Sequence, residues 1–416
     1  MTNNLSSPIA RSQPLPSATE PEVPARDAAL DLTRASITLL VIAHHAVLAY
    51  HRYAPPAGPF TRENMIWGAF PVVDAVRAPV VDGFTLWNDS FFMAMMFLLA
   101  GLFVPASLAR KGAGRFVRDR MLRLGVPFAV CAAVLGPLAY LPAYLLRAEA
   151  MGNPGFWPAW RALGVWPAGP AWFLWVLLAF SIVAALTWKV APRAREKFSA
   201  FGAWCRARPT RACVVLGLAA VVAYLPTLKW VDAFAWATWG PFTVQTGRIA
   251  LYGVYFLFGC ALGASGRGLS GTWMADSGPL AQRWKTWASV AGGVFVAFTA
   301  ALITFFIGMG KGQPQPLMAF ATTVLFAVTG VTTTFAMLAG FARHGHRPGA
   351  LTASLTRNAF GMYLVHYAIV TWLQFALLGI ALPGIAKALL VTLLAIGASW
   401  VATLLLRRLP GVARIL

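Results

Sequence analysis

The stretch DLTRASITLLVIAHHAVLAYHR, residues 31–52, places Asp31, Arg34, His44 and His45 in one long apolar run. A run of about 18 or more apolar residues is long enough to cross a bilayer as helix. Runs of the same kind recur along the chain, giving ten candidate helices near 35–51, 90–109, 125–146, 171–189, 212–229, 247–265, 287–308, 317–341, 358–378 and 388–406. Composition agrees with this reading. The 416 residues are 59% hydrophobic and 11% charged, whereas a soluble chain is about one quarter charged. The expected fold class is all-α, a polytopic integral membrane protein of about ten transmembrane helices. The runs show no apolar and polar alternation, which argues against an outer-membrane barrel. Residues 1–30, rich in Pro, Ser, Thr and Ala, read as a disordered tail rather than a signal peptide. The transmembrane domain is expected over 31–408, with a short tail at 409–416.

The net charge is +21, from 34 Lys and Arg against 13 Asp and Glu. In a soluble chain that excess would point to nucleic acid; between membrane helices it reports orientation, and no nucleic-acid partner is expected. With the N-terminus inside, 25 of the 34 basic residues fall on the inner side, so both termini are expected in the cytoplasm. The richest inner loops are 110–123 and 189–211, with six and seven basic residues. Cys131, Cys205, Cys213 and Cys260 have no metal-ligand spacing and read as buried structural thiols, and no metal site is expected. The outer loops 52–89 and 147–170 carry Phe60, Trp67, Phe70, Trp87, Phe156, Trp157, Trp160 and Trp166. These aromatics read as interfacial anchors or as a stacking surface for sugar rings.

An ionisable side chain inside a membrane helix is costly, so each one is a functional candidate. At about 100° per residue the step from Arg34 to His45 returns to within about 20° of the same face, with Asp31 one turn before Arg34. A stripe of Asp31, Arg34, Thr38 and His45 therefore runs roughly 16 Å along the helix, and His44 points about 100° away. His44 reads either as a packing residue or as a second functional one. A second deep histidine, His366, stands one turn after Tyr363 in TRNAFGMYLVHYAIVTWLQ, residues 356–374. His344 and His346 belong to a basic loop and read as solvated. Every acidic residue lies outside the expected helix cores, which removes a carboxylate relay of the kind proton-coupled transporters use. There is no HExxH, P-loop or GxSxG motif. Arg120 and Arg123, one turn apart before Pro127, form either a phosphate clamp suited to coenzyme A or an orientation and headgroup contact.

Taken together these segments resemble the acyltransferase 3 family of polytopic membrane acyltransferases. The likeness rests on Asp31, Arg34 and His45 in the first helix, on FFMAMMFLLAG (91–101) leading to RMLRLGVP (120–127), and on AWFLWVLL (171–178), YFLFGCALG (255–263) and NAFGMYLVHY (358–367). The family spacing of Arg and His singles out His45 over His44. The resemblance implies an O-acyltransferase of the cell inner membrane. It would move an acyl group, acetyl or succinyl, from acyl-CoA to a hydroxyl of a carbohydrate, glycolipid or other cell-envelope acceptor, with acetyl-CoA as donor substrate and no permanently bound cofactor. His45 is then the expected base, with Arg34 on donor phosphates or developing charge and Asp31 orienting Arg34. Arg120 and Arg123 would hold the nucleotide end of coenzyme A, while Tyr363, His366 and Trp172 would bind the acceptor. Direct transfer and an acyl-histidine relay are both compatible with this set. The competing class is a transporter or exporter of an envelope metabolite that uses the same polar midplane without acyl chemistry.

Overall fold

A computed structural model of the chain describes residues 28–54, 58–66, 70–266, 272–347 and 349–415. The expected tail up to residue 27 and Trp67 lie outside the described residues. Among the described residues ten helices are long and apolar enough to cross a membrane: α1 (Ala28–Tyr50), α2 (Val80–Gly101), α3 (Val104–Leu145), α4 (Gly169–Val190), α5 (Pro209–Leu228), α6 (Thr246–Ala264), α7 (Trp284–Gly310), α8 (Pro316–His344), α9 (Ala350–Ala376) and α10 (Gly384–Leu406). The chain is thus an all-α polytopic membrane protein, as its apolar runs imply. In α7 only 11% of the apolar window is buried, against 67% in α6, so α7 offers its surface to lipid while α6 is central.

The two largest departures from the expected boundaries are the starts of α2 and α3. α2 starts at Val80, ten residues earlier than read, because its first half turns Asn88, Asp89 and Ser90 into the bundle and Asp82 toward His51 and Arg52 rather than lipid. Inward polar residues lower hydropathy without ending a helix. Asp89 therefore lies inside a helix core, which corrects the reading that no acidic residue does. α3 starts at Val104 rather than 125, so the basic 110–123 stretch is helical, broken at Gly112 with φ of 74°. It contains two wide π-helical turns, Met121–Gly125 and Cys131–Leu135. Each is followed by a proline, Pro127 or Pro137, that has no N–H for the carbonyl four residues before it.

Glycines set the closest approach in the bundle. A Cβ at Gly259 or Gly263 of α6 would collide with the Leu98 and Leu102 carbonyl oxygens, and one at Gly101 of α2 with the Phe256 oxygen. Small residues four apart let two membrane helices approach backbone to backbone. The contact brings the α2 end at Gly101 beside α6, and Asn88 Nδ2 donates to Leu40 O at 3.2 Å, tying α2 to α1.

The loops 52–89 and 147–170 do not behave as a simple belt of anchors. Phe60 and Trp160 are buried, packed with Met65, Tyr140, Tyr144 and Leu163 against Tyr367 of α9. Arg147 is buried with them, donating to the Ala143 and Pro71 carbonyls at 2.7 and 3.3 Å and also to the Gly58 carbonyl. Trp157, 53% exposed, keeps an outward face. A hairpin absent from the sequence reading, Trp236–Trp239 paired antiparallel with Phe242–Gln245, turns at Gly240 with φ of 56°.

The four cysteines are free thiols, with Cys131, Cys205 and Cys260 buried. Cys205 sits on the helix Pro192–Ala207, and burial pushes its thiol up to about 11. At pH 7 it is expected to resist a maleimide in the folded protein and to label fully on denaturation. Labelling of native Cys205 at the denatured rate would contradict this packing.

Candidate active site in the helix bundle

His45 reaches the centre of the bundle from α1, five residues before that helix ends in a 3₁₀ turn at Leu48–Tyr50. Gln374 of α9 donates to the His45 and Ala46 carbonyls at 2.9 and 3.0 Å, supplying partners where the helix tightens. The His45 ring meets His366 of α9 at 5.2 Å and Tyr367 at 5.3 Å between centroids. His45 Nδ1 lies 2.8 Å from Val41 O, and His366 Nδ1 lies 2.6 Å from Tyr363 O. A carbonyl only accepts, so Nδ1 carries a proton in both rings, and in the neutral form of each ring Nε2 keeps a lone pair. The Nε2 of His366 is buried and has no hydrogen-bond partner among the described residues.

His44 turns the other way and stacks on Phe92 at 5.0 Å. Its Nδ1 is buried without a partner among the described residues, and Asp89 and Arg248 are the nearby ion pair acting on it. Arg248, at the start of α6, grips Asp89 in a two-pronged pair, Nη1 to Oδ1 at 2.8 Å and Nη2 to Oδ2 at 2.6 Å. This pair escaped the sequence reading, which placed Asp89 at the end of the 52–89 loop and Arg248 at a helix end. The signal was present in WNDSFF (87–92), where Asp89 stands two residues before the apolar run begins at Phe91.

At the Ala28 end of the bundle Arg34 has 53% of its side-chain surface exposed, pairs with Asp31 at 3.7 Å and lies over the Phe103 ring at 5.3 Å. Thr38 spends its hydroxyl on the Arg34 carbonyl at 3.2 Å. Arg120 lies over Phe116 at 5.1 Å, and Arg123 and Arg34 both act on it electrostatically. The three cations from α1 and α3 gather in one region, while Asp119 is held by Lys111. Arg123 stands exposed in the first π-helical turn of α3.

Tyr363 donates its hydroxyl to Pro170 O at 2.5 Å, and with His366, Tyr367 and Cys131 it lines a cavity of about 20 Å³. That volume holds little more than one water. Trp172 is separate from this cavity, stacked on Tyr252 of α6 at 5.6 Å and edge-on to Trp236 of the hairpin at 5.8 Å. Of the sequence-predicted residues the structure joins His45 with His366 and Tyr363, and Arg34 with Arg120, Arg123 and Asp31. Trp172 goes with the Arg248 side. His344 and His346 are exposed at the end of α8, His344 edge-on to Trp284.

A family model described as an acyltransferase domain matches residues 27–404, nearly the whole chain. The chain belongs to the acyltransferase 3 family. Neither the curated proteins nor the solved structures give a match. This membrane acyltransferase has a bundle in which the rings of His45 and His366 stand 5.2 Å apart, each anchored through Nδ1 to a backbone carbonyl of its own helix. An Nε2 lone pair on a backbone-anchored neutral imidazole is chemically able to accept a proton. The arginine cluster lies about 16 Å along α1 from His45, counted as eleven residues of helix.

Proposed function

We propose that this acyltransferase moves an acyl group, acetyl or succinyl, from cytoplasmic acyl-CoA to a hydroxyl of a carbohydrate or other envelope acceptor. It would do so in the cell inner membrane with both termini in the cytoplasm. The observation that carries this reading is the alignment on α1 of His45, facing His366, with Arg34, which joins Arg120 and Arg123. The phosphates of coenzyme A bind the three arginines, and the extended pantetheine arm runs along α1 to present the thioester at His45. His45 Nε2 takes the proton of the acceptor hydroxyl as its oxygen attacks the thioester carbonyl. The tetrahedral intermediate expels the coenzyme A sulfur, which receives that proton from the imidazolium, and the ring returns to its neutral form. Tyr363 and His366 flank the reacting carbonyl, Trp172 offers a ring face to the acceptor, and Asp31 orients Arg34.

The test is thermal stability of the detergent-purified protein with acetyl-CoA, succinyl-CoA and free coenzyme A. A ligand at about 100 times its Kd stabilises the folded state by about 2.7 kcal/mol. The shift is expected in the native protein and is expected to vanish when Arg120 and Arg123 are both replaced by Ala. Absence of any shift with all three ligands, in folded protein, refutes a coenzyme A donor.

A further inference from the structure

We infer that the corner between the helix Pro192–Ala207 and α5 is a binding site for an anionic phospholipid, with Arg211 on the phosphate and an acyl chain lying along α5. The chain passes from one helix to the other at Arg208 alone, so the two meet in a tight corner. Trp204 on one side and Thr210, Arg211, Val214 and Val215 on the other line a groove of about 300 Å³. Arg211, Val214, Leu218 and Val222 follow one another at spacings of three and four residues, which sets them along one face of α5. The three apolar members are each more than half exposed, and the stripe runs about 16 Å down the helix from Arg211. A cation standing above an apolar stripe of that length matches an amphiphile with an anionic head and a hydrocarbon chain.

The charges around the groove say which head it takes. Residues 189–211 carry seven basic side chains against the single acid Glu196, and no further acid follows until Asp232. Arg208 and Arg211 are exposed, and among the described residues neither forms an ion pair. The Arg208 guanidinium lies over the Trp204 ring at 5.8 Å, so a second cation stands at the rim of the groove. Two uncompensated guanidiniums at the edge of a membrane span suit a phosphate diester, and a zwitterionic head brings an ammonium that offsets the gain. The wall that carries Trp204 is fixed before any ligand arrives. A Cβ at Gly202 would collide with the Ala261 carbonyl of α6, Trp273 Nε1 donates to Arg206 O at 3.1 Å, and Arg206 donates to the Ser265 carbonyl. A groove held in shape in this way binds without the cost of ordering its wall.

The test is the thermal midpoint of the full-length protein in detergent, titrated with dioleoyl phosphatidylglycerol, dioleoyl phosphatidylcholine or sodium phosphate. Phosphatidylglycerol is expected to raise the midpoint saturably, whereas phosphatidylcholine and phosphate at equal concentration are not. Arg211→Gln is expected to raise the half-saturating phosphatidylglycerol concentration about tenfold, the size of one lost charge-assisted contact. Val214→Trp fills the groove without changing its charge and is expected to abolish the shift. Both side chains are exposed, so the midpoints without lipid should stay near the native value, which shows that the variants are folded. Arg193→Gln removes an exposed cation of the same segment that does not line the groove, and it is expected to leave the titration unchanged. Absence of a phosphatidylglycerol shift, or an equal shift with phosphatidylcholine, overturns the site. A loss in Arg193→Gln as large as that in Arg211→Gln also overturns it, because the attraction then belongs to the whole basic segment. A shift with phosphate alone replaces the lipid by a soluble anion, and an unchanged titration in Val214→Trp removes the groove as the place of binding.

Discussion

Replacing His45 with Ala is expected to lower acyl transfer by about 10²- to 10⁴-fold, the range that a positioned general base contributes. The side chain is held by its Nδ1 contact to Val41 O, and it is the histidine of α1 that faces His366. The fold should survive the change. His45 is only partly buried, and the contacts of Gln374 with this segment are to the backbone carbonyls of His45 and Ala46, which Ala retains. Turnover of purified His45→Ala protein, with acetyl-CoA stabilisation recorded beside it, checks this. An unchanged rate removes His45 from the chemistry. His44→Ala is expected to leave the base in place, because that ring stacks on Phe92 on a different face of the helix.

The second large effect concerns stability. Lys387 of α10 is fully buried, with Nζ 2.7 Å from Asp74 Oδ2 and 3.3 Å from Leu378 O, and Asp74 is itself 2% exposed. Asp74 N donates to Ala49 O at the end of α1, and Ala78 N donates to Tyr50 O, so the pair ties α10 to the Tyr50 end of the bundle. Lys387→Met removes one charge and leaves the other buried and uncompensated. Loss of one member of such a pair costs about 3–5 kcal/mol. The expected result is a clearly lower thermal midpoint in detergent, most of it recovered when Asp74→Asn is added. If the single variant is as stable as the native protein, the pair holds nothing together.

Much of the architecture is legible in the residues because lipid is an exacting solvent. A helix that crosses it must be about 20 residues long and apolar where it meets lipid, and this requirement writes all ten spans into the hydropathy. The stripe of Asp31, Arg34 and His45 is legible for a similar reason, since the helical period alone places them along one face. Tyr363 and His366 follow the same rule, their rings lying 5.7 Å apart.

What stayed hidden involves contacts between distant parts of the chain. Arg248 and Asp89 are 159 residues apart, and nothing local in either segment names the other. Hydropathy misplaced the start of α2 because Asp82, Asn88 and Asp89 face protein, where polarity is satisfied by partners that no window can see. The loop aromatics misled for a related reason: Trp160 looks like an anchor by type and position, yet loop closure around Arg147 buries it against Tyr367. The sequence by itself determined that this chain lives in a membrane, where its membrane-spanning helices fall, and which residues share one face of the first helix, because lipid and the helical period act residue by residue. The tertiary structure alone decided that His45 faces His366, that the three arginines gather, and that Asp89 is clamped by Arg248. Those facts depend on how closely α1, α2, α6 and α9 approach one another, and that is set by packing rather than by any one segment.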